Sequence, residues 1–79
     1  MKFVIYSKDG CSYCEQIKKL MQALCLDYKV YDLGKNFSVD DFYNEFGEGS
    51  TFPQVVVNDR NLGGCRETIK FLREQKIIQ

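Results

Sequence analysis

The stretch Lys8-Asp9-Gly10-Cys11-Ser12-Tyr13-Cys14 decides how the rest of the chain reads. Before it, residues 2–6 are short, β-branched and aromatic, which predicts a buried strand. After it, Ile17, Leu20, Met21 and Leu24 recur at helical spacing, and Cys14 and Cys25 extend the same stripe. That pattern predicts an amphipathic helix of about four turns beginning at Ser12, with Cys25 packed in the core. Residues 7–10 form the loop between the two, so both cysteines of the Cys-x-x-Cys pair lie at a strand–helix junction.

Working outward, residues 27–33 alternate polar with apolar and predict a second strand. Ser38 followed by Asp41 resembles a capping box, and Val39, Phe42, Tyr43 and Phe46 follow at helical spacing until Gly47 and Gly49. Residues 54–57 predict a third strand, Asn58-Asp59-Arg60-Asn61 a hairpin turn, and Leu62-Gly63 a short fourth strand. The last helix covers residues 65–75 and buries Ile69 and Leu72. The expected fold is α/β: a four-stranded mixed sheet with three helices in the order β-α-β-α-β-β-α. Strands joined through a helix lie parallel with a right-handed crossover, and the last two are antiparallel.

With 79 residues the chain has room for one domain, spanning residues 1–79. An apolar share of 44%, with six Phe and five Tyr, is enough for a core without metal or cross-links. Eleven basic and eleven acidic residues cancel, which argues against the clustered positive charge of nucleic-acid binders. The apolar run at the start is too short for a signal peptide or a spanning helix. A reducing, cytoplasmic location is therefore expected, where the four cysteines do not form structural disulfides.

Disulfide exchange needs a thiolate, and a free cysteine with a pKa of about 8.5 is mostly protonated at neutral pH. A helix N-terminus presents unpaired N–H groups and the positive end of the dipole, and Cys11 occupies that end. Lys8 adds a nearby positive charge. Cys14, one turn inside, faces the core and lies within disulfide reach. Cys11 is thus the expected nucleophile and Cys14 the resolving thiol. The rival reading is half of a zinc site, which needs a second ligand pair; the chain has no histidine, and 39 residues separate Cys25 from Cys65. Two inert core cysteines are the other rival, but a junction of strand and helix is the redox setting.

On Lys8-x-x-Cys11-x-Tyr13-Cys14, Thr51-Phe52-Pro53, Gly63-Gly64-Cys65 and the element order, the chain resembles the dithiol glutaredoxins along nearly its whole length. The resemblance implies a thioredoxin-like fold and a monomer that takes electrons from glutathione as co-substrate, with no tightly bound cofactor. It implies reduction of protein disulfides and of protein–glutathione mixed disulfides, with no nucleic-acid or membrane partner. Lys8 then meets the glycyl carboxylate of glutathione and Tyr13 lines the pocket. Beside Thr51, a cis bond before Pro53 turns the Phe52 backbone toward the cysteinyl part, which it pairs like an added strand. The N–H groups around Gly64, Cys65 and Arg66 hold the γ-glutamyl carboxylate.

The chain also departs from the family pattern. Glu67 stands where an Asp commonly binds the glutathione amine, Arg66 replaces a small or acidic neighbour, and Phe52 stands in place of Val. Arg66 suits an alternative in which thioredoxin reductase recharges the protein; ribonucleotide reductase as client is compatible with either reading. Ser12, in place of the usual Pro, suits a third alternative, an iron–sulfur cluster carrier.

Overall fold

Residues 1–78 are described by the computed structural model. Strand β1 (Lys2–Ser7) leads into helix α1 (Ser12–Ala23), followed by β2 (Asp27–Asp32), α2 (Val39–Phe46), β3 (Gln54–Val57), β4 (Arg60–Gly63) and α3 (Cys65–Glu74). The sheet order is β2-β1-β3-β4. β1 runs parallel to β2, while the β1–β3 and β3–β4 pairs are antiparallel. The expected mixed sheet and element order are therefore what the chain adopts.

β1 alternates strictly, as a strand packed on both faces must. Phe3 and Ile5 point to one face, where they join Ile17, Met21, Val55, Val57, Phe71 and Leu72 in the apolar core beneath α1 and α3. Tyr6 points to the other face and meets Phe46 of α2 edge-on, with ring centres 4.8 Å apart. The molecule thus has three layers, and β1 lies at the centre of both interfaces. Its C-terminal end places the 8–14 segment above the core.

Helix ends follow local chemistry. Ser38 Oγ accepts the Asp41 N–H at 3.1 Å, and Asp41 Oδ2 accepts the Ser38 N–H at 3.0 Å, completing the expected capping box. These bonds hold the Asp41 carboxyl below its ordinary range. At the end of α1 the Cys25 N–H donates to Gln22 O and the Leu26 N–H to Met21 O, the Schellman pattern. Its pivot, normally glycine, is Cys25 at φ 55°. α3 ends the same way, with Lys76 at φ 59°.

Three local expectations are corrected. Cys25 is exposed, not core, because the left-handed pivot swings its side chain off the α1 stripe. The helix expected at α2 forms, with Phe42 its one fully buried residue and Val39 and Tyr43 47% and 37% exposed. In α3 the helix is rotated so that Thr68, Phe71 and Leu72 are buried and Ile69 only half so. Thr68 tolerates burial because its hydroxyl donates to Gly64 O at 2.8 Å. The β3–β4 turn is two residues, Asn58 and Asp59, at φ 48° and 68°. Two left-handed residues match the twist of paired strands, so Arg60 and Asn61 are already strand.

Replacing Cys25 with Gly removes the left-handed penalty of an L-residue, and no buried contact is lost. Denaturant unfolding should show a gain of about 0.5–1 kcal/mol, the penalty less the entropy of Gly. Ser38→Ala should cost ~1 kcal/mol. Because the folded Asp41 pKa is depressed, its contribution is present above the unfolded value of about 3.9 and lost as pH falls through the folded one. The stability gap between wild type and Asp41→Asn should therefore close on acidification.

Candidate functional site

Cys11 is the N-cap of α1. Its extended backbone precedes the helix, and its Sγ accepts the Cys14 N–H at 3.1 Å. Asp and Ser oxygens normally fill this role, satisfying one of the N–H groups a helix start leaves free. A sulfur there gains from the charge-assisted bond and from the dipole once it ionises. Cys11 and Cys14 are disulfide-bonded, with Cα atoms 5.2 Å apart. Cys11 is half-buried and reachable, while Cys14 is fully buried. This asymmetry suits an attacking sulfur and a resolving one.

Beside the disulfide lies an open groove of about 440 Å³, lined by Tyr13, Thr51, Phe52, Pro53, Gly64, Cys65, Arg66 and Glu67. That volume falls within the roughly 300–1,000 Å³ of small-molecule sites. Every residue named from the sequence for glutathione is in this lining except Lys8. Its ammonium instead stands over the Phe52 ring, 5.2 Å from the centre.

Each wall has a local cause. The peptide bond between Phe52 and Pro53 is cis, as the resemblance implied. Gln54 Nε2 donates to Thr51 O at 2.9 Å and ties this loop to β3. On the facing wall a β-bulge between Val55 and Val56 sends β4 into Gly63 at φ 109°, a conformation that favours glycine. Glu67 folds back over the two glycines, and its Oε1 accepts the Gly64 N–H at 2.8 Å. A Cβ on Gly64 would stand 3.1 Å from that oxygen and 3.5 Å from Pro53 O, so glycine lets the two walls meet.

This arrangement refines the expectation for the γ-glutamyl end. Glu67 already occupies the Gly64 N–H, which leaves the first-turn N–H groups of Cys65 and Arg66 for an incoming carboxylate. Burial pushes the Cys65 thiol up, and the Glu67 carboxylate adds to the shift. Both effects favour the protonated thiol, so Cys65 enters the groove as part of its wall.

Sequence reasoning missed the support beneath Phe52. Its ring stacks on buried Phe42, with centres 4.1 Å apart and planes 9° apart, and Phe37 stacks at 6.2 Å. Helical spacing marked Phe42 as apolar, but no local signal pairs residue 42 with residue 52. A second concavity of about 520 Å³ lies against Tyr6, Tyr31, Phe37 and Phe42, with Asn36, Asp41 and Glu45 on its rim. It holds no sulfur. Burial, helped by Glu45 and Tyr31, raises the Tyr6 phenol there.

Comparison with known proteins fits this geometry. The family model described as Glutaredoxin matches residues 3–62. Mitochondrial glutaredoxin-2 of Pongo abelii is 38% identical over 80 residues, covering 95% of this chain and 48% of its own length. A glutaredoxin of Vernicia fordii is 32% identical over 78 residues, covering 95% and 75%. The chain thus spans about half the length of the mitochondrial relative. The reduced Escherichia coli glutaredoxin structure shares the fold, with a TM-score of 0.82 at 24% identity over 99% of this chain and 100% of that one. The buckwheat glutaredoxin–glutathione complex superposes with a TM-score of 0.73 at 28% identity, over 95% and 71%. With the matched segment running through the Cys-x-x-Cys junction and the cis-proline loop, this chain belongs to the glutaredoxin family.

Proposed function

We propose that this protein is a glutathione-dependent thiol–disulfide oxidoreductase acting on protein disulfides and on protein–glutathione mixed disulfides. One observation carries the reading. The Cys11 sulfur caps α1, within disulfide reach of the buried Cys14 and next to a groove of peptide size. The buckwheat relative seen with glutathione supports the same choice of reductant.

In the dithiol route the Cys11 thiolate attacks one sulfur of a substrate disulfide, and the other sulfur leaves as a thiolate that takes a proton. Cys14 gives up its proton and attacks the Cys11 sulfur, so the substrate departs as a dithiol and the Cys11–Cys14 disulfide closes. Two glutathione molecules reopen it and leave as glutathione disulfide. In the monothiol route the Cys11 thiolate attacks the glutathione sulfur of a protein–glutathione mixed disulfide, forming a Cys11–glutathione disulfide while the protein sulfur leaves as a thiolate that takes a proton. A second glutathione then attacks the glutathione sulfur of that disulfide, restoring Cys11 and forming glutathione disulfide. Cys14 has no part in the second route.

The groove gives glutathione three kinds of contact. The Phe52 backbone offers strand-like pairing, the start of α3 offers N–H groups to a carboxylate, and Lys8, outside the lining, brings a cation over the Phe52 ring. Free Cys25 and Cys65 suit a reducing compartment such as the cytoplasm.

Cys11→Ser should reduce both activities to background in a glutathione-coupled assay. Cys14→Ser should lose protein disulfide reduction and retain glutathionyl transfer. Turnover surviving in Cys11→Ser contradicts the proposal. Running the same assay with thioredoxin reductase in place of glutathione and its reductase identifies the electron source, and faster turnover with glutathione is expected.

A further inference from the structure

We infer that Phe52 is a positioning residue that holds the Lys8 cation in place for the glycyl carboxylate of a bound glutathionyl group. The inference rests on the oxidoreductase reading above. The Phe52 ring cannot turn freely, because it lies 4.1 Å from the ring of Phe42 and nearly parallel to it, and Phe42 is 1% exposed. Phe37 stacks on the same group of rings, 6.2 Å from Phe52 and 5.8 Å from Phe42. With Phe42 taking one face, the other is left for a cation, and the Lys8 ammonium stands 5.2 Å from the ring centre.

The energetics follow from the side chains. Lys8 is exposed on a long flexible stem, which loses rotamer freedom whenever it meets a carboxylate. The negative face of an aromatic ring attracts an ammonium through its quadrupole, without the saturable acceptor geometry of a carboxylate. The tether therefore leaves N–H groups on the far side of the ammonium for the carboxylate and lowers the ordering cost of binding. A Val at position 52 presents no such face. Phe52 lines the groove and Lys8 stands on it, so the cation is held at the edge of the groove.

The test is a steady-state comparison using a peptide mixed disulfide of glutathione and the same compound amidated at the glycine carboxyl. With the free carboxylate, Phe52→Val should raise KM two- to five-fold, the range of an exposed cation–π contact. Phe52→Leu, which keeps an apolar contact with Phe42, should give the same rise, and Phe52→Tyr should keep the wild-type KM. The Phe52→Val effect should vanish on the amidated substrate and in a Lys8→Gln background. A purely structural role for the ring would show equally on both substrates and in both backgrounds; that result, or no rise at all, overturns the inference. Failure of the underlying reading is separate and shows as turnover surviving in Cys11→Ser.

Discussion

A single hydrogen bond, from the Cys14 N–H to the Cys11 sulfur, ties the architecture to the chemistry. It exists because a central strand ends and a helix begins within a few residues of each other. Sulfur takes the place where an oxygen would ordinarily cap the helix. The same turn buries Cys14 on the inner side of α1 and leaves Cys11 reachable, the asymmetry on which the proposed roles of attacking and resolving sulfur rest. The apolar core under α1 and α3 holds this geometry in place, with Ile17 and Met21 of α1 packed with Phe3 and Ile5 of β1.

The opposite face of the sheet supplies the floor of the groove. Tyr6 packs edge-on against Tyr31, Phe37 and Phe46, and Phe42 continues the cluster to Phe52. Such contacts contribute about 0.5–1.5 kcal/mol each beyond area burial. They connect α2, remote from the disulfide in sequence, to the loop that lines the groove. On the other wall Glu67 does comparable work for α3 by closing over Gly63 and Gly64.

Much of this was legible from local pattern. The Cys-x-x-Cys junction, the Thr51-Phe52-Pro53 loop and the Gly63-Gly64-Cys65 turn are far apart in sequence, yet they supply the sulfur pair and most of the groove lining. Element order followed from periodicity. What escaped depends on backbone handedness or tertiary contact. Cys25 continues the apolar stripe of α1, but the helix stops just before it and the chain turns left-handed. Ile69 looked like the buried face of α3 because a threonine is a poor core residue until its hydroxyl finds Gly64 O. The Lys8–Phe52–Phe42 stack spans three separate segments, and no spacing rule reaches across them.

The central claim is that the sulfur capping α1 is ionised at neutral pH. Following thiolate absorbance at 240 nm against pH in the reduced protein, wild type beside Cys11→Ser, tests it most directly. The account predicts a thiolate signal at pH 7 that Cys11→Ser removes, well below the ordinary cysteine pKa of about 8.5. No thiolate below that value, or a neutral-pH signal that persists in Cys11→Ser, would contradict it.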